Sequence, residues 1–396
     1  VKGVLPEVIA WLGEGRPVAL ARVVEVVGSG VQAAGAALAV NADGQVAGSA
    51  SGGCVEGALV LQTRAALTDD GRPRVASFGC TDDEAFDVGL TCGGTVRVLI
   101  ERLEPPVPWL DALDKVLVAG TGAALVEVVD GPPGQLGAKV VVGEDGAVIF
   151  PALAPGSLAP GPLAPGALDD ALADLAAGRS ATHRYETGRG PDEAAVTLFV
   201  DSFAAPPRMV IFGAASFTAA LTAQAKLLGY RVVVCDARAV FASKARFPLA
   251  DEVVVDWPNR YLAQHGAGLG PRDAICVLNH DPKFDLPALM GALATSVGYI
   301  GALGSRRTQA DRRRRLAEAG AGDADIARIR GPLGLDLGAG SAEETALSIC
   351  AEIVTVRTGR SGASLASHSG PIHVVPPETQ QTEVQQTEAQ QTEARS

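Results

Sequence analysis

Two stretches of this chain read almost alike, and that duplication limits the folds open to its first half more than any other feature. The first runs Ala19-Leu-Ala-Arg-Val-Val-Glu-Val and then Gly35-Ala-Ala-Leu-Ala-Val-Asn-Ala-Asp-Gly. The second runs Ala124-Leu-Val-Glu-Val-Val-Asp-Gly and then Gly137-Ala-Lys-Val-Val-Val-Gly-Glu-Asp-Gly. Each is followed by a helical stretch, residues 55–67 and 168–177, and by a closing strand, residues 95–101 and 195–201. Apolar alternation broken by Asp-Gly turns predicts hairpins in both halves, built on a shared scaffold. Residues 1–205 are therefore expected to form a mixed α+β domain with a degenerate internal duplication.

From Pro207 the pattern changes to short apolar strands alternating with helices, which predicts a Rossmann-like doubly wound parallel sheet over 206–375. Strands are expected at 209–212, 232–235, 252–255, 274–278 and 298–302. A last helix is expected from Ala342 to about Val356, opened by a capping box of Ser341 and Glu344. Two low-complexity stretches interrupt the chain. Leu-Ala-Pro-Gly recurs three times within a Pro-rich loop, 151–167, and Gln-Gln-Thr-Glu recurs three times in a polar tail, 376–396, predicted to be disordered.

Composition excludes several functions. Lys and Arg number 33 against 45 Asp and Glu, a net charge of −12, and aromatics are 4% of the chain. Neither the charge nor the aromatic content suits nucleic acid. No run approaches the roughly 18 apolar residues of a membrane helix, and no basic-then-apolar leader is written at the start, so a cytoplasmic protein is expected. The six cysteines lack C-x-x-C or iron–sulfur spacing and read as free thiols.

Two glycine–cysteine turns fall in the first copy. Ser51-Gly52-Gly53-Cys54-Val55-Glu56 joins a strand to a helix, where backbone amides point outward and the helix end favours a thiolate. Leu90-Thr91-Cys92-Gly93-Gly94 precedes the closing strand. Converging, they form a sulfur-bearing, anion-binding pocket; apart, they are tight turns above buried thiols. The second copy has the Pro-rich repeat where the first has Cys54.

In the second domain, Gly213 opens a strand-to-helix turn in which Ala215 and Thr218 replace the other glycines of a dinucleotide fingerprint. Asp236 follows at the spacing of a ribose-binding carboxylate. His280, Asp281 and Lys283 follow the fourth strand, where they supply acid, base and charge or else form an Asp-capped turn. Gly304-Ser305-Arg306-Arg307-Thr308 enters a helix read as capped by Thr308, with arginines suited to a phosphate. Arg312–Arg315 run consecutively and are expected at the solvated surface.

Together these motifs resemble the xanthine dehydrogenase accessory protein family, XdhC/CoxF, over residues 5 to about 373. The likeness rests on Gly48-Ser-x-Ser-Gly-Gly-Cys54-Val-Glu56-Gly, Gly89-Leu-x-Cys92-Gly-Gly, Asp236-x-Arg238, Arg246-Phe-Pro-x-Ala-Asp251, His280-Asp-x-Lys-x-Asp285, Gly304-Ser-Arg-Arg-Thr308 and Gly334-Leu-Asp-Leu-Gly-Ala339. The resemblance implies a chaperone that binds the molybdenum cofactor, protects it during sulfuration and delivers it to a molybdenum hydroxylase apoenzyme. A sulfur-donating cysteine desulfurase and a homodimer are implied with it. Cys54 becomes the molybdenum-proximal thiol, with Ser51, Gly52, Gly53, Glu56, Cys92, Gly93 and Gly94 lining the site. Gly213, Asp236, Arg238, His280, Asp281, Lys283, Gly304, Ser305 and Arg306 are the second domain's binding candidates. The chain departs from the family at Val31 and Gln32, where Pro-Arg is usual, and at Gln309, where His is frequent. The alternative is a nucleotide-dependent oxidoreductase using NAD(P) or FAD, though not a complete xanthine dehydrogenase, whose clusters need cysteine spacings absent here.

Overall fold

A computed structural model of the chain describes residues 1–27, 32–50, 55–79, 95–151, 163–186, 195–279 and 281–367. The chain divides into two compact units, Val1–Ala205 and Pro206–Ser367.

Among the described residues the first unit holds two five-stranded sheets. Strands β1 (Val18–Val27), β2 (Ala37–Asn41), β3 (Val46–Gly48), β4 (Arg74–Gly79) and β5 (Thr95–Leu103) form one, in the order β3-β2-β1-β5-β4. Strands β6 (Ala123–Asp130), β7 (Lys139–Gly143), β8 (Val148–Phe150), β9 (Ala181–Glu186) and β10 (Ala195–Phe203) form the other, in the order β8-β7-β6-β10-β9. Every pairing is antiparallel. The duplication read from sequence is thus a duplication of topology, and it extends to irregularities. The β1–β5 register shifts between Val23 and Glu25, and the β6–β10 register shifts at the matching place, past Val128.

Alternation along each strand decides the layering. Val18, Leu20, Ala123, Leu125 and Phe203 share one core between the two sheets, extended by Val24, Leu99, Val129 and Phe199. The intervening residues face outward onto helices. Leu59, on helix Glu56–Ala65, packs with Ala19, Ala21, Leu38 and Ile100. Ala171 and Leu175, on helix Ala167–Ala177, pack with Val126, Val140 and Leu198. The result is a helix–sheet–sheet–helix sandwich, each buried Val or Leu contributing about 1.5–3 kcal/mol.

A cluster of charges interrupts the inter-sheet core. Arg22 on β1 pairs with Glu127 on β6, and with Glu101 on β5 at 3.1 Å. Lys139 reaches Glu101 and Glu127, both at 2.6 Å. Arg22 and Glu127 occupy the same position in the two copies, as do Glu101 and Asp201, so the copies meet through a swapped charge. Lys139 Nζ also donates to Gly137 O at 3.0 Å. In the other copy the Val1 nitrogen takes the corresponding place, donating to Gly35 O at 2.7 Å and Asp201 at 3.2 Å.

The second unit is one parallel sheet of β11 (Arg208–Phe212), β12 (Arg231–Cys235), β13 (Glu252–Val254), β14 (Ala274–Val277), β15 (Tyr299–Ala302) and β16 (Ile329–Arg330). Their order, β13-β12-β11-β14-β15-β16, is the 3-2-1-4-5-6 arrangement of dinucleotide-binding sheets. Helices Ser216–Leu227 and Ala342–Thr358 cover one face through Leu221, Ala225, Ile349 and Ile353. Helices Pro258–His265, Pro282–Leu293 and Arg306–Glu318 cover the other through Leu262, Leu289 and Leu316. The last helix carries the expected capping box of Ser341 and Glu344. Strand β16, absent from the expected set, has two residues and is too short to show periodicity.

The helix after β15 is capped by Ser305, whose hydroxyl accepts from Thr308 N, not by Thr308. Arg312 is buried rather than solvated. Its helix turns positions 309, 312 and 316 inward together, and its guanidinium donates to Asp285 at 3.2 and 3.0 Å, to Gln309 Oε1 at 2.6 Å and to Leu303 O at 3.0 Å. Asp285 is itself buried, and a buried carboxylate requires such a partner. Arg314, by contrast, pairs at the exposed surface with Asp311 and Glu318.

Candidate functional site

Four ends of the first sheet point one way. Thr95, which opens β5, pairs with Val27, the last residue of β1, and with Gly79, the last of β4. Gly48 ends β3 opposite Leu38, near the start of β2 and so toward the same edge. The described residues that flank segments 28–31, 51–54 and 80–94 therefore lie toward one end of this sheet. Gly48 has a φ of +77°, and a Cβ there would overlap Val4 and the Ala37 carbonyl, so this exit admits only glycine. Glu56, at the start of the following helix, accepts from the Ala50 amide at 3.2 Å and ties the two flanks of segment 51–54 together. Ser51, Gly52, Gly53, Cys54, Cys92, Gly93 and Gly94 lie outside the described residues, as does His280.

The described thiols are unsuited to metal or nucleophilic work. Cys235, Cys276 and Cys350 are buried. Desolvation raises Cys235 to about 12 and Cys350 to about 11, and raises Cys276 further still. Among the described residues no group of three or more His, Cys, Asp or Glu is placed to hold a metal ion.

In the second unit a cavity of about 450 Å³ opens at the carboxyl ends of the strands, around the switch point between β11 and β14. Its wall includes Ala214, Ala215, Ser216 and Phe217 after β11, Arg238, Phe241 and Arg246 after β12, and Asn279, Asp281 and Phe284 after β14. Gly213 has a φ of +113°, and a Cβ there would press on the Asn279 amide group. Asp236 lies beneath this wall, 1% exposed. Its Oδ2 accepts from Ala214 N at 2.8 Å and Arg238 Nη2 at 2.7 Å. Its Oδ1 accepts from Arg238 N and Nε, both at 2.9 Å. Burial opposes its charge, but these four bonds prevail and hold the carboxyl below its ordinary value.

The fingerprint substitutions act in the same region. Thr218 is fully buried, and its hydroxyl donates to Gly213 O at 2.6 Å while accepting from Ala215 N at 3.2 Å. Two loop amides that would face a pyrophosphate, those of Ala214 and Ala215, are thus bound within the protein. Ser216 and Phe217, in the first helical turn, retain outward amides.

Asp281 caps helix Pro282–Leu293, accepting from Lys283 N at 3.1 Å, while Lys283 Nζ stands 3.6 Å from Asp281 and 4.8 Å from the Phe284 ring centroid. This is the Asp-capped turn. Gly304 has a φ of +138°, and Ser305 and Arg306 open the next helix, with the neighbouring Leu303 on the cavity wall. Sequence reasoning does not select Phe241, Arg246, Asn279 or Phe284. Arg246 and Phe284 fall inside quoted motifs, whereas nothing in the sequence marks Phe241.

A duplicated antiparallel sandwich followed by a parallel sheet of dinucleotide-binding order defines the class of protein. Residues 209–353 match the XdhC Rossmann domain, and residues 11–79 match the XdhC and CoxI family. The chain belongs to the XdhC family. It is 27% identical over 351 residues to a probable xanthine dehydrogenase subunit of Bacillus subtilis, covering 88% of this chain and 96% of that protein. It is 24% identical over 346 residues to the molybdenum cofactor insertion chaperone PaoD of Escherichia coli, covering 87% and 85%. Its fold is similar to the crystal structure of a xanthine dehydrogenase from Bacillus halodurans, with a TM-score of 0.65 at 23% identity over 92% of this chain and 97% of that one.

Proposed function

We propose that this protein binds the molybdenum cofactor, protects it while sulfur is installed, and delivers it to a xanthine dehydrogenase-type molybdenum hydroxylase. The observation that carries this reading is that the described flanks of three segments, including those whose sequence holds Cys54 and Cys92, share one end of the first sheet. A relative named as a molybdenum cofactor insertion chaperone supports it. In this reading Cys54 is the soft ligand near molybdenum, Cys92 lies close by, and glycine amides receive the anionic part of the cargo. Glu56 acts as a positioning residue, holding the flanks of segment 51–54 through Ala50. A cysteine desulfurase supplies the sulfur, and the chain works as a cytoplasmic homodimer.

The test is to isolate the full chain from a host that makes the molybdenum cofactor and to measure molybdenum and pterin, with and without Cys54→Ala. Bound cofactor that falls at least tenfold in the variant is expected. Absence of cofactor from both samples refutes the proposal. An NAD(P)- or FAD-dependent oxidoreductase is the second reading, favoured by the strand order of the second unit. The bound amides of Ala214 and Ala215 oppose it.

A further inference from the structure

The second-unit cavity has lost the groups that read a dinucleotide and kept a set suited to a different ligand. Asp236 stands where a ribose-binding carboxylate belongs, yet its two oxygens already take four hydrogen bonds, three of them from Arg238. A carboxylate offers about four lone-pair sites, so a ribose diol finds no acceptor there. The same contacts hold Arg238 in place. Its Nε and one Nη2 hydrogen face Asp236, which leaves the adjacent Nη1/Nη2 edge, with one hydrogen on each nitrogen, turned away from that carboxylate. No bond to that edge is made among the described residues. Two parallel N–H donors on a fixed planar fork are the complement of a phosphate or carboxylate.

The surroundings favour phosphate on an aromatic carrier. The Arg238 guanidinium lies 4.6 Å from the Phe241 ring centroid and 5.7 Å from that of Phe284, and both rings line the cavity. Arg246 stands 5.4 Å from Phe241 on the same wall. Arg238 is matched by Asp236; Asp281, on the same wall and within electrostatic reach of Arg238, has Lys283 at 3.6 Å, and Arg246 and the amino end of helix Ser216–Leu227 add positive charge. The two phenyl rings give a planar ring an apolar wall to lie beside, and a cavity of about 450 Å³ falls within the range of small-molecule sites.

We infer that this cavity is a phosphomonoester site in which Arg238 replaces the ribose-reading carboxylate, and that it takes a phosphorylated planar heterocycle, a nucleotide or a pterin. The pterin arm rests on the cofactor reading above; the nucleotide arm does not.

Trp257 provides the signal, since its ring packs 5.0 Å from that of Phe284. The full chain is titrated with AMP, CMP, adenosine, NAD and inorganic phosphate by tryptophan fluorescence, with Trp257→Phe to assign the response. Binding of AMP or CMP about tenfold or more tighter than adenosine is expected, the gain from a charge-assisted contact. Arg238→Lys, which keeps a cation beside Asp236, and Arg246→Gln, which leaves that pair intact, should each weaken the phosphorylated probe and leave adenosine unchanged. A thermal melt confirms that both variants are folded.

A second arm measures pterin, released oxidatively, on wild type and Arg238→Lys isolated from a cofactor-making host. Loss of pterin in Arg238→Lys identifies the pterin as the carrier; nucleotide binding without it identifies a nucleotide. Equal affinity for adenosine and AMP, NAD binding insensitive to Arg238, or no binding of any phosphorylated probe together with unchanged pterin would overturn the inference. In that last case a Cys54→Ala effect still stands, so failure of this site and failure of the cofactor proposal are separable.

Discussion

Arg22 is fully buried between the sheets of the first unit, in contact with Glu101 and Glu127 and 4.0 Å from Asp201. Replacing it by Met removes a cation from a site where three carboxylates then face Lys139 and the Val1 nitrogen. Breaking a buried ion pair from one side costs about 3–5 kcal/mol. For a unit of this size each kcal/mol shifts the unfolding temperature by about 2–4 °C, so a fall of about 10 °C is expected in calorimetry of the full chain. The loss should depend on pH. Burial raises the Glu127 carboxyl above its ordinary value even with its cations present, and loss of Arg22 raises it further. A carboxyl whose folded pKa exceeds its unfolded pKa adds stability below the unfolded value and loses it as pH rises through the folded value. The deficit of Arg22→Met should therefore be smaller at pH 5 than at pH 8. The partner variant Glu127→Leu should also destabilise, while the double variant should cost less than the sum of the two, because the matched positions then pack as apolar neighbours. An Arg22→Met protein that melts within about 2 °C of wild type, or a double variant at the full sum, would refute the reasoning.

Three further outcomes are expected. At pH 8 a thiol with a pKa near 12 is about one part in ten thousand thiolate, so brief alkylation of the native protein, read by peptide mass spectrometry, should spare Cys235, Cys276 and Cys350; their labelling at the rate of free cysteine would contradict the described burial. A Cβ on Gly298 overlaps the Pro271 carbonyl oxygen, which is backbone and cannot swing aside, so Gly298→Ala should cost about 1–3 kcal/mol in urea unfolding. Arg312→Leu strands the buried Asp285 and should cost about 3–5 kcal/mol, whereas Arg314→Gln, two positions along at the surface, should leave the unfolding midpoint unchanged.

Much of the fold was legible from short-range patterns. Period-two alternation and Asp-Gly turns located the hairpins of both copies, because pleat and turn chemistry act between residues adjacent in sequence. The parallel sheet was legible for the same reason, down to the Ser341–Glu344 cap. Arg312 defeated that logic. In a run of four arginines, only the helix phase and the buried Asp285 on another helix decide which one turns inward.

The candidate sites divide along the same line. The glycine–cysteine motifs and the broken fingerprint were visible as residue types at given spacings, and so was an acidic group at the ribose position. Only the folded chain decides that the Asp236 carboxylate is already filled by Arg238 and Ala214, and that Thr218 takes the Ala215 amide. Sequence by itself determined that the first half is two copies of one unit, that Arg22 and Glu127 hold the same place in them, and that the second half is a parallel sheet. Tertiary structure alone decided that those matching places meet across the sandwich as an ion pair and that the described flanks of three separate segments share one sheet end. The physical reason is that hydrogen-bond saturation and charge pairing depend on atoms far apart in the chain, which no local pattern encodes.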